Sequence, residues 1–276
     1  MTTHHKRKTL HLNTKLTISG LVTGWVSSMF ASGGGPIFSW LMQDWCEYDI
    51  KHVNGPSLIM LSAVASVGFS LRFFIDRADV QPYLALTALL FGLPGVFLGK
   101  KLALWLNSAR LREFFAIFLI LVGIRMIGVG VFAPHVLSPV SYTPIVALAG
   151  FVAGFGSSLL GMGGGLVLVP IFTIYTGLSA NQALATSLLA SIPMMMLGAI
   201  LYLIAHHVKI ADLKYLLPPA IFGALIGAWI SHHIPNGPLQ MLFGVFLILS
   251  ASKTFLDTHV RFRPKIISPI DDPDMI

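Results

Sequence analysis

Eight near-continuous apolar runs, at residues 16–42, 53–75, 82–99, 114–133, 144–176, 180–205, 213–231 and 239–255, take up most of this chain. A helix needs ~20 residues to cross ~30 Å of hydrocarbon, and most of the runs reach that length. Only 11% of residues are charged and 55% are hydrophobic, with a mean hydropathy of +0.80, which excludes an ordinary soluble domain. The chain therefore reads as an all-α integral membrane protein in contact with a lipid bilayer. Its single cysteine, Cys46, supports neither an internal disulfide nor a cysteine-based metal site.

The first run, preceded by His4-His5-Lys6-Arg7-Lys8, imitates a cleavable secretory leader. An internal repeat argues that it is retained. Residues 20–35, GLVTGWVSSMFASGGG, align with residues 150–165, GFVAGFGSSLLGMGGG, at an offset of 130 with eight of sixteen positions identical. The same offset sets Gly55-Pro56-Ser57-Leu58 against Ala185-Thr186-Ser187-Leu188. At an offset of 128, LREFFAIFLIL (111–121) faces LQMLFGVFLIL (239–249) with six identities in eleven. The sequence thus divides into a basic cytoplasmic tail (1–15), a first repeat of four segments (16–127), a proline-containing linker (128–145), a second repeat (146–255) and a cytoplasmic C-terminal tail (256–276). Duplicated units are a common plan of secondary transporters, whose substrate site lies between the repeats near the bilayer midplane.

Both repeats place three consecutive glycines in the middle of their first segment, followed by Pro36 or Pro170. Glycine frees the backbone and proline cannot donate a helical hydrogen bond, so the segment should be broken, or re-entrant, there. Irregular backbone at membrane depth is tolerated only inside protein or along a wet cavity. A break also creates a helix N-terminus whose free N–H groups favour anions. The pairs Gly20/Gly24, Gly150/Gly154, Gly95/Gly99 and Gly223/Gly227 have the spacing of close helix packing instead. A contiguous triplet cannot keep to one face of a helix turning ~100° per residue, so cavity lining suits the triplets better.

Lys and Arg mark the cytoplasmic side. With eight full spans and an inside N-terminus, thirteen basic residues fall inside and five outside, among them the cluster Lys100, Lys101, Arg110 and Arg112. With each first segment re-entrant, fifteen fall inside and three outside, and three spans per repeat make the repeats inverted. The second arrangement fits better; both keep the two termini cytoplasmic.

All eleven carboxylates lie in loops, at segment ends or in the tail, which counts against a carboxylate-based proton relay or cation site. Hydroxyls and amides remain inside: Ser27, Ser28, Ser32, Ser57, Ser62 and Ser66 in the first repeat, with Ser157, Ser158, Asn181, Gln182, Thr186, Ser187 and Ser191 in the second. Beside freed backbone amides they suit a small oxyanion, although Ser and Thr also bond back to their own helices. The pairs His206-His207 and His232-His233 sit at segment ends, and adjacent histidines point to different faces. No cofactor or metal motif, no protease or hydrolase signature and no P-loop lysine appears, so no enzyme is indicated. The net charge of +7 reads as topology and attraction to anionic lipid rather than nucleic-acid binding.

The serine-to-triple-glycine pattern of Ser27–Gly35 and Ser157–Gly165, the GMGGGLVLVP of 161–170 and the NQALATSLL of 181–189 resemble the TauE/SafE, or sulfite exporter, family of membrane anion transporters. The resemblance covers about residues 16–256. It implies a bacterial-type inner-membrane transporter of sulfite, sulfonates, related sulfur oxyanions or small organic anions. The first repeat departs from the pattern, with Pro36 directly after the glycines, Trp40 at the later proline position and Gly55-Pro56 in place of Ala-Thr. On this reading a small anion is held by Ser32, Gly33, Gly34, Gly35, Ser57, Gly163, Gly164, Gly165, Thr186 and Ser187. Arg72 and Arg125 are secondary candidates that draw anions toward the mouth, placed near segment ends where snorkelling also accounts for them. A channel and a non-transporting membrane scaffold are the rival classes.

Overall fold

The computed structural model describes residues 2–31, 34–46, 48, 53–76, 80–105, 109–128, 138–205 and 210–260, and these form α-helices with no strand among them. In order they are α1 (Thr2–Phe30), α2 (Gly35–Trp40) running into a π-helical turn (Leu41–Trp45), α3 (Asn54–Asp76), α4 (Pro82–Trp105), α5 (Ala109–Gly128), α6 (Pro139–Leu160), α7 (Gly165–Tyr175), α8 (Ala180–Ile204), α9 (Ile210–His233) and α10 (Asn236–Val260). Their starts follow local chemistry. Pro82 and Pro139 open α4 and α6, where the missing N–H costs nothing. Ser179 and Gln182 form a reciprocal capping box on α8.

Six helices, α3, α4, α6, α8, α9 and α10, are long and apolar enough to cross a bilayer. The first and fifth apolar runs each divide in two. Residues 16–42 become the end of α1, α2 and the start of the π-helical turn, and residues 144–176 become α6 and the eleven-residue α7. α1 extends back through the basic segment 1–15 to Thr2. No proline interrupts residues 2–30, and a helix once nucleated propagates at little cost. Within the linker 128–145, α6 begins at Pro139, and residues 129–137 lie outside the described set. The C-terminal stretch is helical to Val260, and 261–276 lie outside the described residues.

Packing is reciprocal between the two halves of the chain. α1 lies along α9, α6 lies along α4, and α5 pairs with α10, while α3 and α8 run through the middle against each other. Glycines set the first two contacts. A Cβ at Gly20 or Gly24 would overlap the Leu216 or Ala220 carbonyl, and one at Gly223 or Gly227 would overlap that of Leu21 or Trp25. Gly150 and Gly154 stand equally close to the Ala88 and Gly92 carbonyls, and Gly95 and Gly99 to those of Phe151 and Phe155. This is small-residue packing at backbone distance, as the GxxxG spacing implies. Large apolar side chains such as Phe74, Phe114, Leu148, Phe222 and Leu249 face outward, the surface expected against hydrocarbon rather than water.

Candidate functional site: two helix breaks back to back

The breaks fall at the glycines. α6 ends in a left-handed residue, Gly161 (φ 65°), whose N–H returns to the Ser157 carbonyl, and Gly163 (φ 75°) is left-handed as well. Such conformations are cheap only for glycine. The first half achieves the same turn with Ala31 (φ 48°) and Gly34 (φ 51°). Ala31 stands at the position equivalent to Gly161 and carries a Cβ where few residues tolerate one. Ser32 and Gly33 lie outside the described residues.

The two breaks abut. A Cβ on Gly35 would overlap Met162 Cα and the Gly161 carbonyl, so the crossings meet backbone to backbone, with Gly34 and Gly35 and all of 161–170 buried. α3 fastens the second break: Ser57 Oγ donates to the Gly161 carbonyl at 2.7 Å, and Asn54 Nδ2 to the Leu159 carbonyl at 3.1 Å. Ser57 is thus held at a break, as its place in the sequence suggests. Ser187 is not comparably engaged, for its hydroxyl bonds back to the Leu184 carbonyl at 2.9 Å. Thr186 Oγ1 accepts from the Gln81 N–H at 3.2 Å, at the α3–α4 connection. These two side chains therefore serve their own helix and a loop.

Around the breaks stands a set of buried hydroxyls that find no partner among the described residues: Thr23 and Ser28 on α1, Ser157 and Ser158 on α6, and Ser191 on α8. Ser191 Oγ lies where a Cβ on Gly164 would go, just ahead of the first turn of α7. A buried donor left without a partner costs about 1–3 kcal/mol, so five together are a conspicuous expense. Gly163 and Gly164 lead into α7, whose first turn opens at Gly165, with the Val167 and Leu168 N–H groups bonded back to the Gly164 carbonyl.

Arg72 lies close to the end of its apolar span, Asn54–Ile75, yet its head is not in water. It is 3% exposed, and its guanidinium donates to the Ser28 carbonyl (3.3 Å), the Met29 carbonyl (3.4 Å), Asn181 Oδ1 (3.3 Å) and Ser231 Oγ. Snorkelling is therefore not its role. Arg125, on α5, is half-buried with Nη1 lacking a partner and is remote in sequence order from both breaks. Outside the spans, Tyr48 donates to Asp212 Oδ2 at 2.6 Å. Burial first, and then that carboxylate, hold its phenol protonated well above the ordinary range. Burial likewise raises the Cys46 thiol, against a weak contact with Ser19. His232 and His233 present their rings at 87° to each other rather than converging; 206–207 lie outside the described residues.

The sulfite exporter TauE/SafE family model matches residues 2–126 and again 146–270. The chain belongs to the TauE/SafE family. Among its relatives, the probable membrane transporter protein YunE of Bacillus subtilis is 26% identical over 259 residues, covering 85% of this chain and 94% of that protein. A probable membrane transporter protein of Methanocaldococcus jannaschii is 26% identical over 263 residues, with the same two coverages. One of Xylella fastidiosa is 27% identical over 179 residues, 62% of this chain and 67% of its own. No solved structure matches. This TauE/SafE member is thus a multi-pass protein of a membrane transporter family whose relatives are named as transporters rather than enzymes. What sequence reading missed are Asn54, Thr23 and Tyr202, because their roles depend on helices distant in the chain meeting at the breaks; only burial of polar residues within apolar runs could have pointed to them.

Proposed function

We propose that the protein is a secondary transporter that moves a small anion, a sulfite, sulfonate or related sulfur oxyanion, across the plasma or bacterial inner membrane. The site lies at the abutting breaks and is exposed alternately to either side as the halves rock against each other, with both termini cytoplasmic. The observation that carries this reading is the cluster of unpartnered, buried hydroxyls around two helix breaks that touch backbone to backbone. Reciprocal packing of α1 on α9 and α6 on α4 supports an arrangement of inverted halves, and the absence of carboxylates from the segment interiors supports an anion over a cation. Within this site Gly34, Gly35, Gly163, Gly164 and Gly165 provide backbone donors and Ser57 fixes the second break; Ser32 and Gly33, also assigned to it from the sequence, lie outside the described residues.

A channel would conduct without saturation or counterflow, and a scaffold would carry nothing. Gly164→Val is the clean test, since φ −83° accepts a side chain and the added atoms press on Ser191 and Ala153 beside the second break. The variant should insert normally and lose saturable anion exchange. The harsher Gly34→Leu and Gly164→Leu pair should do the same, and unchanged exchange in a properly inserted protein would contradict the site.

A further inference from the structure

Arg72 and Tyr202 occupy equivalent positions at the 130-residue offset, within GFSLRFF (68–74) and GAILYLI (198–204). They make equivalent bonds. Arg72 donates to the carbonyl of Ser28, and Tyr202 donates through its hydroxyl, at 2.9 Å, to the carbonyl of Ser158, the matching serine on the other broken helix. Each side chain thus caps the end of a helix just before its break. The second half does this with a neutral phenol, so capping does not require a charge. The first half buries a full positive charge to perform it.

That charge has no anionic partner among the described residues. The four acceptors around it are two carbonyls, an amide oxygen and a hydroxyl, all neutral, and Nε has no acceptor. The negative end of the α1 dipole offsets part of the charge. Burying a guanidinium without a counter-ion is nevertheless costly, and such residues inside membrane proteins mark ion paths. A second polar group is packed one turn away. Gly68 lets the Ser28 hydroxyl approach α3, since a Cβ there would collide with Ser28 Oγ, which is fully buried and without a partner among the described residues, whereas the equivalent Gly198 faces the apolar Leu58.

We propose that Arg72 is the fixed positive charge that binds the transported oxyanion, with Nε–H and the Ser28 hydroxyl as its donors, on the first-half side of the site only. The inference rests on the anion-transport reading above. It makes the site electrically one-sided: Tyr202 leaves the second half neutral, and the anion is held from α3 while α8 presents only dipoles. Nη1 and Nη2 keep their bonds to α1, α8 and α9, so the same residue that meets the anion also ties the two halves together.

Arg72→Tyr separates cap from charge, since it copies the arrangement at Tyr202. Two readouts apply to wild type and variant: counterflow in proteoliposomes, and the rise in melting temperature in detergent on adding sulfite, thiosulfate, sulfoacetate or acetate. The expected result is a variant that melts within a few degrees of wild type without anion, shows no anion-dependent rise, and exchanges with a KM raised about tenfold or more. Should Arg72→Tyr not purify as a monodisperse protein, Arg72→Gln and Arg72→Lys replace it, the glutamine losing the anion-dependent rise and the lysine keeping it. A neutral variant with wild-type KM and wild-type anion stabilisation would overturn the proposal and leave Arg72 a structural cap. Wild type stabilised by an anion but showing no exchange would sink transport while sparing the Arg72 site, and wild type indifferent to all four anions would overturn both.

Discussion

At the residue scale the breaks depend on a few backbone positions. Gly161 combines φ 65° with the backbone and side chain of Asn54 close to where a Cβ would sit, so Gly161→Ala should cost about 1–2 kcal/mol of stability, read as a lower melting temperature. Ser57→Ala leaves the Gly161 carbonyl without its donor in a dry site and should cost about 1–3 kcal/mol. Tyr48 carries a pH signature. Its folded-state pKa lies above the ordinary 10.0, so its stabilisation is complete below that pH and is lost as pH rises through the folded value. Melting temperatures between about pH 9 and pH 11 should therefore fall less steeply in Tyr48→Phe than in wild type. Glycine runs and prolines made the breaks legible in sequence, because those residues act locally. The different fates of Ser57 and Ser187 were not legible, since Ser57 meets a helix end from the other half of the chain while Ser187 turns back to its own helix.

At the scale of elements, the GxxxG pairs were legible as packing faces, but not which helix each face meets. α1 and α6 each find the third long helix of the opposite half. Gly24→Leu and Gly154→Leu should both prevent close approach, of α1 to α9 and of α6 to α4, at a cost of about 1–3 kcal/mol or failure to accumulate as folded protein. Gly237→Ala, at the start of α10 with nothing near its Cβ position, should be neutral or slightly stabilising in the same assay. The lengths of α1 and α7 were less legible. Hydropathy marks where lipid is, whereas a helix continues wherever nothing stops it, so α1 runs back through charged residues and α7 stops short at Tyr175.

At the scale of the molecule, reciprocal packing means that neither half buries its own first helix. Residues 1–137 or 138–276 expressed alone should not yield a stable membrane protein, while co-expression of the two should, as judged by monodisperse elution. Sidedness follows from the re-entrant reading: in a background lacking Cys46, a cysteine at Lys101 should react only with reagent on the cytoplasmic side, whereas eight full spans would put it outside. The measurement that bears most directly on the whole account is counterflow of labelled sulfite into proteoliposomes preloaded with unlabelled sulfite, thiosulfate, sulfoacetate or acetate. The account predicts saturable exchange with at least one of these anions; flux that never saturates and shows no counterflow would contradict it in favour of a channel, and no flux with any of them would contradict transport of this class of anion.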